Sequence, residues 1–122
     1  MPRPSNFEPQ RALAASMAAA TEDIKWGADL VYSVGGKMFC VFLLRDGVAS
    51  TCSFKVDVDR FLELSSVPGV IPAPYLARAH WLQVQAGHGL KAADLDALLR
   101  RSHQLVADKL SKRLQQELGL RT

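Results

Sequence analysis

The chain has 122 residues, is 48% hydrophobic and carries a formal net charge of +3. That length suits one domain with a core of its own, needing neither disulfide nor metal to fold. The longest apolar run, Met38–Leu44, is far too short for a membrane span, and the opening MPRPSNFEPQ has no apolar stretch of a secretory leader.

In chain order, residues 1–8 are expected as a loose tail. Pro9 suits a first helical turn and opens a helix to about Ala20, with Leu13, Met17 and Ala20 on one face. Glu22–Trp26 is expected as a short first strand or an extended approach to the sheet. Trp26 is expected to close one edge of the core, because a buried indole contributes a large apolar area; stacking on a nucleobase is the alternative. Leu30–Lys55 then predicts three antiparallel strands, because Gly35-Gly36 and Asp46-Gly47 each separate two apolar runs. Such pairs suit two-residue turns in which both residues need positive φ. That register sets Val34 opposite Lys37, Tyr32 opposite Phe39, Arg45 opposite Val48 and Val41 opposite Cys52. It sends Cys40 and Cys52 to opposite faces, whereas a three-residue second loop brings them together. With no CxxC spacing, both are expected as free thiols in a reduced, cytoplasmic protein.

Asp57 is placed as the cap of a short helix, Val58–Ser65, with Phe61, Leu62 and Leu64 facing inward. Val67-Pro68-Gly69 ends it. Val70–Ala79 is irregular, since Pro72 and Pro74 exclude a central strand. His80–Gln85 alternates as a last strand. Asp94–Val106 is a strong amphipathic helix through Leu95, Leu98, Leu99, Leu105 and Val106. Ser111 caps a final helix to Leu118, ended by Gly119. The order α-β-β-β-β-α-β-α-α predicts a single α+β domain over residues 1–122, an antiparallel sheet with helices packed on one face.

Residues 1–90 hold 8 basic and 8 acidic side chains, and residues 91–122 hold 7 and 4, so the basic excess lies in the C-terminal segment. Arg100, Arg101, Lys112 and Arg113 are therefore candidates for an anion-binding footprint; complementing the helix dipole is the structural alternative. Lys37 and Lys55 fall at the sheet margin, where they either face an anion together or guard an edge. Arg78, His80 and Trp81 form the densest chemical cluster. Arg78 suits a bidentate phosphate contact, with Trp81 or Tyr75 stacking on a base. The structural reading, in which Arg78 ties down the proline-rich segment and Trp81 is core, is favoured because Trp81 falls at an inward-looking strand position. Gly35-Gly36-Lys37 lacks the spacing of a phosphate-binding P-loop. Cys40 or Cys52 with His80 or His103 is a weak nucleophile–base pair, both thiols lying in apolar strands. His80, His88 and His103 lack metal-ligand spacing.

The runs E-D-I-K-W-G (22–27), S-V-G-G-K-M-F (33–39), S-F-K (53–55) and P-A-P-Y-L-A-R (72–78), with Trp81 and S-x-x-L-V-x-x-K-L (102–110), resemble the MmcQ/YjbR family. The resemblance covers about residues 21–114. It implies a CyaY-like α+β fold and DNA binding through a double-wing arrangement of strands, with Lys37, Lys55, Arg78 and Trp81 as signature positions. This chain departs from the family at Val58 and Ser111, where Pro is usual, and at His103, where Tyr is usual. The expected function is DNA binding through basic residues with little sequence specificity, in a non-enzymatic monomer with no cofactor, metal or membrane partner. The alternative is an interaction or small-ligand module using the exposed sheet face or the Arg78 segment.

Overall fold

The computed structural model describes residues 6–120. Gly35 and Gly36 have φ of 59° and 80°, and Asp46 and Gly47 have 52° and 76°. Both pairs thus make two-residue turns whose twist matches their strands. They join β2 (Asp29–Val34), β3 (Lys37–Arg45) and β4 (Val48–Lys55). β1 (Thr21–Lys25) precedes these strands, and β5 (Val70–Pro72) and β6 (Trp81–Gln85) follow. All six form one antiparallel sheet in the order β1-β2-β3-β4-β6-β5. The helices are α1 (Glu8–Ser16), α2 (Phe61–Ser65), α3 (Ala92–Asp108) and α4 (Lys112–Glu117), with single 3₁₀ turns at Val58–Arg60 and Ala77–Ala79. The fold is α+β with helices on one face, as the sequence predicts. β5 is the added element: three residues on the sheet edge, where Pro72 costs no ladder bond.

Both turns have the predicted pairs, Val34 with Lys37 and Arg45 with Val48. The register further along differs. A bulge at Tyr32/Ser33 sets Tyr32 opposite Cys40, not Phe39, and one at Leu43/Leu44 sets Phe42, not Val41, opposite Cys52. An inserted residue slips every later pair by one. Cys40 and Cys52 therefore share the core face, both buried and free, in correction of the opposite-face expectation. That face (Leu30, Tyr32, Val34, Phe39, Phe42, Phe54, Leu82, Val84) packs with Leu95, Leu98 and Leu99 of α3.

Other departures are local. Phe7, expected in the tail, is 1% exposed. Its amide donates to the Ala49 carbonyl at 3.0 Å, and the Glu8 carboxylate accepts from the Ala49 amide at 3.0 Å. Residues 1–5 of the expected tail lie outside the described residues. α1 ends at Ser16, four residues early, because Met17 turns extended and Ala19 left-handed. His103 Nε2 donates to the Ala18 carbonyl at 2.8 Å and its ring meets Phe39 edge-on, bracing this turn against α3. Asp57 sits at a helix-start position but makes no side-chain cap, because Arg101 holds its carboxylate. The 3₁₀ turn that follows rotates Leu62 to solvent, 81% exposed, while Leu64 stays buried. Ser111 does cap α4, its Oγ accepting from the Leu114 amide at 3.1 Å.

Candidate functional site

Strand alternation turns Val41, Leu43, Thr51, Ser53 and Gln83 away from the helices. With Met38 they floor a groove of about 690 Å³ on the open face of the sheet. Trp26, on the turn between β1 and β2, stands on one side, and Ala73–Leu76, ahead of β6, forms the other. Trp26 is 73% exposed, in correction of the expected core edge, and Tyr75 is fully exposed. Both hold left-handed backbone, φ 52° and 66°, where a bulky side chain costs about 1–2 kcal/mol. Asp29 is the one charged residue of the lining.

A second depression, of about 280 Å³, adjoins the first through their shared residue Met38. Lys37, Lys55 and Lys109 converge on it, over Trp81, Val106 and Leu110. Each lysine is placed by a distinct local cause. Lys37 follows the Gly35-Gly36 turn, and Gly35 rests so close to Leu110 that an added Cβ would lie 2.6 Å from its Cδ1. Lys55 ends β4 opposite Trp81, and its Nζ donates to the Ala79 carbonyl at 2.9 Å. Lys109 caps the C-terminus of α3. Partial burial, and then the nearby Lys109 charge, hold the Lys55 ammonium below the usual lysine range. The lining contains no carboxylate, so the cluster is uncompensated within it.

Of the sequence candidates, Lys37, Lys55 and Trp81 are thus brought together, with Trp81 only 4% exposed as the floor. Arg78 is exposed on the 3₁₀ turn next to Ala79, whose carbonyl holds Lys55. His80 lies outside this depression: its backbone is left-handed (φ 62°) and its ring meets Phe61 edge-on. Arg101 also lies apart, gripping Asp57 with two bonds of 3.0 and 2.8 Å. That grip holds the Asp57 carboxyl below the usual carboxylate range. Arg113 pairs with Glu117 at 3.1 Å, and Arg100 and Lys112 are exposed on α3 and α4. Lys109 was missed because the predicted helix stopped at Val106. The i, i+3 step from Val106 to Lys109 is the sequence signal that α3 carries this lysine to the sheet margin. Burial, and then the neighbouring Cys52, push the Cys40 thiol up, away from nucleophilic chemistry.

The YjbR family model matches residues 15–105. A crystal structure of the Deinococcus radiodurans protein DR2400, with a DUF419 domain, is 28% identical with a TM-score of 0.80, covering 93% of this chain and 88% of that one. A Pseudomonas syringae protein, 20% identical with a TM-score of 0.68, shares the fold over 84% of this chain and 99% of its own. No curated protein matches. Among the described residues no helix is long and apolar enough to cross a membrane.

Proposed function

This chain belongs to the YjbR family, and from that membership and the lysine-lined depression we propose that it binds DNA through the phosphate backbone, with little regard to base sequence. The observation that carries the reading is the convergence of Lys37, Lys55 and Lys109 with no carboxylate among them. Phosphate contacts of this kind fix affinity and register but carry no sequence information. Arg78, exposed beside Ala79, extends the basic surface.

The reading is of a binding protein in the cytoplasm, acting as a monomer, and not of an enzyme. The non-enzymatic part of the reading draws support from the two thiols, since both are buried in the sheet core, out of reach of a substrate. With three clustered lysines and a net charge of +3, affinity falls in the non-specific range, about 10⁻⁴–10⁻⁶ M at physiological salt. Fluorescence anisotropy with a random duplex and a single strand, at low and moderate salt, tests it. Saturable binding that weakens with salt supports the reading, and no binding to either at low salt removes it.

A further inference from the structure

We propose that the open face of the sheet takes an unpaired nucleic-acid strand, with bases stacked on Trp26 and Tyr75 and the backbone held at one end by Lys37, Lys55 and Lys109. The inference rests on the nucleic-acid reading above and names the form of nucleic acid.

Two large rings stand exposed on one groove, each on a backbone conformation that bulky residues rarely adopt. Neither ring is used by the core. Aromatic rings presented beside a basic margin are the means by which proteins hold unpaired bases, since every base has a face that stacks. The floor supplies no positive charge, so phosphates do not run through it. Instead Thr51, Ser53 and Gln83 offer hydroxyl and amide groups to base edges, on an otherwise apolar surface.

The geometry sets the length of ligand. Trp26 adjoins β2 and Tyr75 precedes β6, and β3 and β4 lie between these strands. Three strand spacings are about 14 Å. The two rings stand on opposite sides of the floor, so each is assigned its own base of an extended strand. The charge sets its direction. The lysines lie at the Met38 end of the groove, and Asp29, five pairs away along the β2–β3 ladder from Lys37, lies towards the other. Phosphates are drawn to the first end and repelled from the second. A duplex fits poorly, because its bases are already stacked. A peptide is disfavoured because the groove is a sheet face: β3 and β4 are paired on both sides and leave no row of backbone groups for an added strand.

The test uses the exposed Trp26 as reporter, with oligothymidine, a random duplex and a random peptide mixture as probes. Asn at positions 26 and 75 removes the rings yet tolerates left-handed backbone. Oligothymidine is expected to quench tryptophan emission, and the quench is expected to vanish in Trp26→Asn. Trp26→Asn and Tyr75→Asn are each expected to weaken single-strand affinity roughly five- to a hundredfold, with duplex affinity unchanged and Trp26→Phe close to the parent. Single-strand binding that ignores both Asn variants but is lost in Lys55→Gln/Lys109→Gln overturns the inference and leaves the phosphate-binding reading standing. Quenching by the peptide mixture alone assigns the groove to a peptide and overturns it. No binding of either nucleic acid by the parent protein removes both readings together.

Discussion

The Ser102 hydroxyl accepts the Lys55 amide at 2.9 Å, from inside a gap between two strands. The β3–β4 register ends at Cys40 and Phe54, one pair short of Phe39 and Lys55. Ser102, fully buried on α3, reaches into the opening and also donates to the Phe39 carbonyl at 2.6 Å. One side chain thus satisfies two backbone groups of the sheet and ties the helix to the residue that carries the central lysine. Ser102→Ala leaves both groups without a partner in a site closed to water. The expected loss is about 2 kcal/mol, within the usual cost of a buried unsatisfied group, measured as a fall in the denaturant midpoint.

The Gly35-Gly36 turn sets the position of Lys37. An alanine at Gly36 meets no atom within 4 Å and pays only for its left-handed backbone, with φ at 80°. That cost is about 1 kcal/mol. An alanine at Gly35 adds a collision with Leu110, at 2.6 Å from its Cδ1. Gly35→Ala is therefore expected to lower the melting temperature more than Gly36→Ala does. Equal effects would mean that Leu110 swings aside freely.

Trp81 closes the bottom of the lysine depression and is 4% exposed. Trp81→Ala is expected to destabilise the fold by roughly 3–5 kcal/mol, as large aromatic truncations do. An unchanged melting temperature with weakened ligand binding would move this side chain from support to direct contact.

The Asp57–Arg101 pair gives acid sensitivity. Its side chains are 27% and 41% exposed, so solvent screens the pair and its worth is about 1 kcal/mol or less. The guanidinium, chiefly by its hydrogen bonds, depresses the folded-state pKa of Asp57. The contribution is then complete above the unfolded value, near 3.9, and is lost as pH falls through the lower folded value. Arg101→Met is expected to be less stable than the parent at pH 7 and pH 5. The two are expected to converge well below pH 4, as read by urea melts across the series.

Much of this architecture is readable from residue order, because turn chemistry and helical periodicity act locally. Gly-Gly and Asp-Gly fixed both hairpin turns, and Ser111 fixed the cap of α4. What failed to show depends on contacts between distant residues. The two bulges have no glycine or proline to mark them, yet the one between β2 and β3 puts Phe39 and Cys40, consecutive in the chain, on one core face. Asp57 has the signature of a helix cap, and only the approach of Arg101, 44 residues on, diverts it. For the site, Lys37, Lys55 and Trp81 were legible as candidates. For Trp26 hydrophobicity favours the core over base stacking, but hydrophobicity carries no information about which side of a turn a ring takes.

Lys55 makes binding sensitive to alkali. Its folded-state pKa lies below the usual lysine value, for burial and the Lys109 charge both oppose its proton. A bound phosphate favours the charged form, so affinity is expected to fall as pH rises through that lowered value, before an ordinary lysine near 10.4 titrates. Lys55→Arg, which keeps its proton, is expected to remove the early fall in anisotropy titrations across the alkaline range.

The most direct test of phosphate binding at this depression is the salt dependence of duplex affinity. Each phosphate contact contributes about −0.9 to the slope of log K against log salt. Three lysines give a slope of about −2.7, and Lys55→Gln/Lys109→Gln is expected to reduce it to about −0.9 while the melting temperature holds. A slope unchanged in the double variant would contradict the account, because the charges that hold the backbone would then lie elsewhere on the protein.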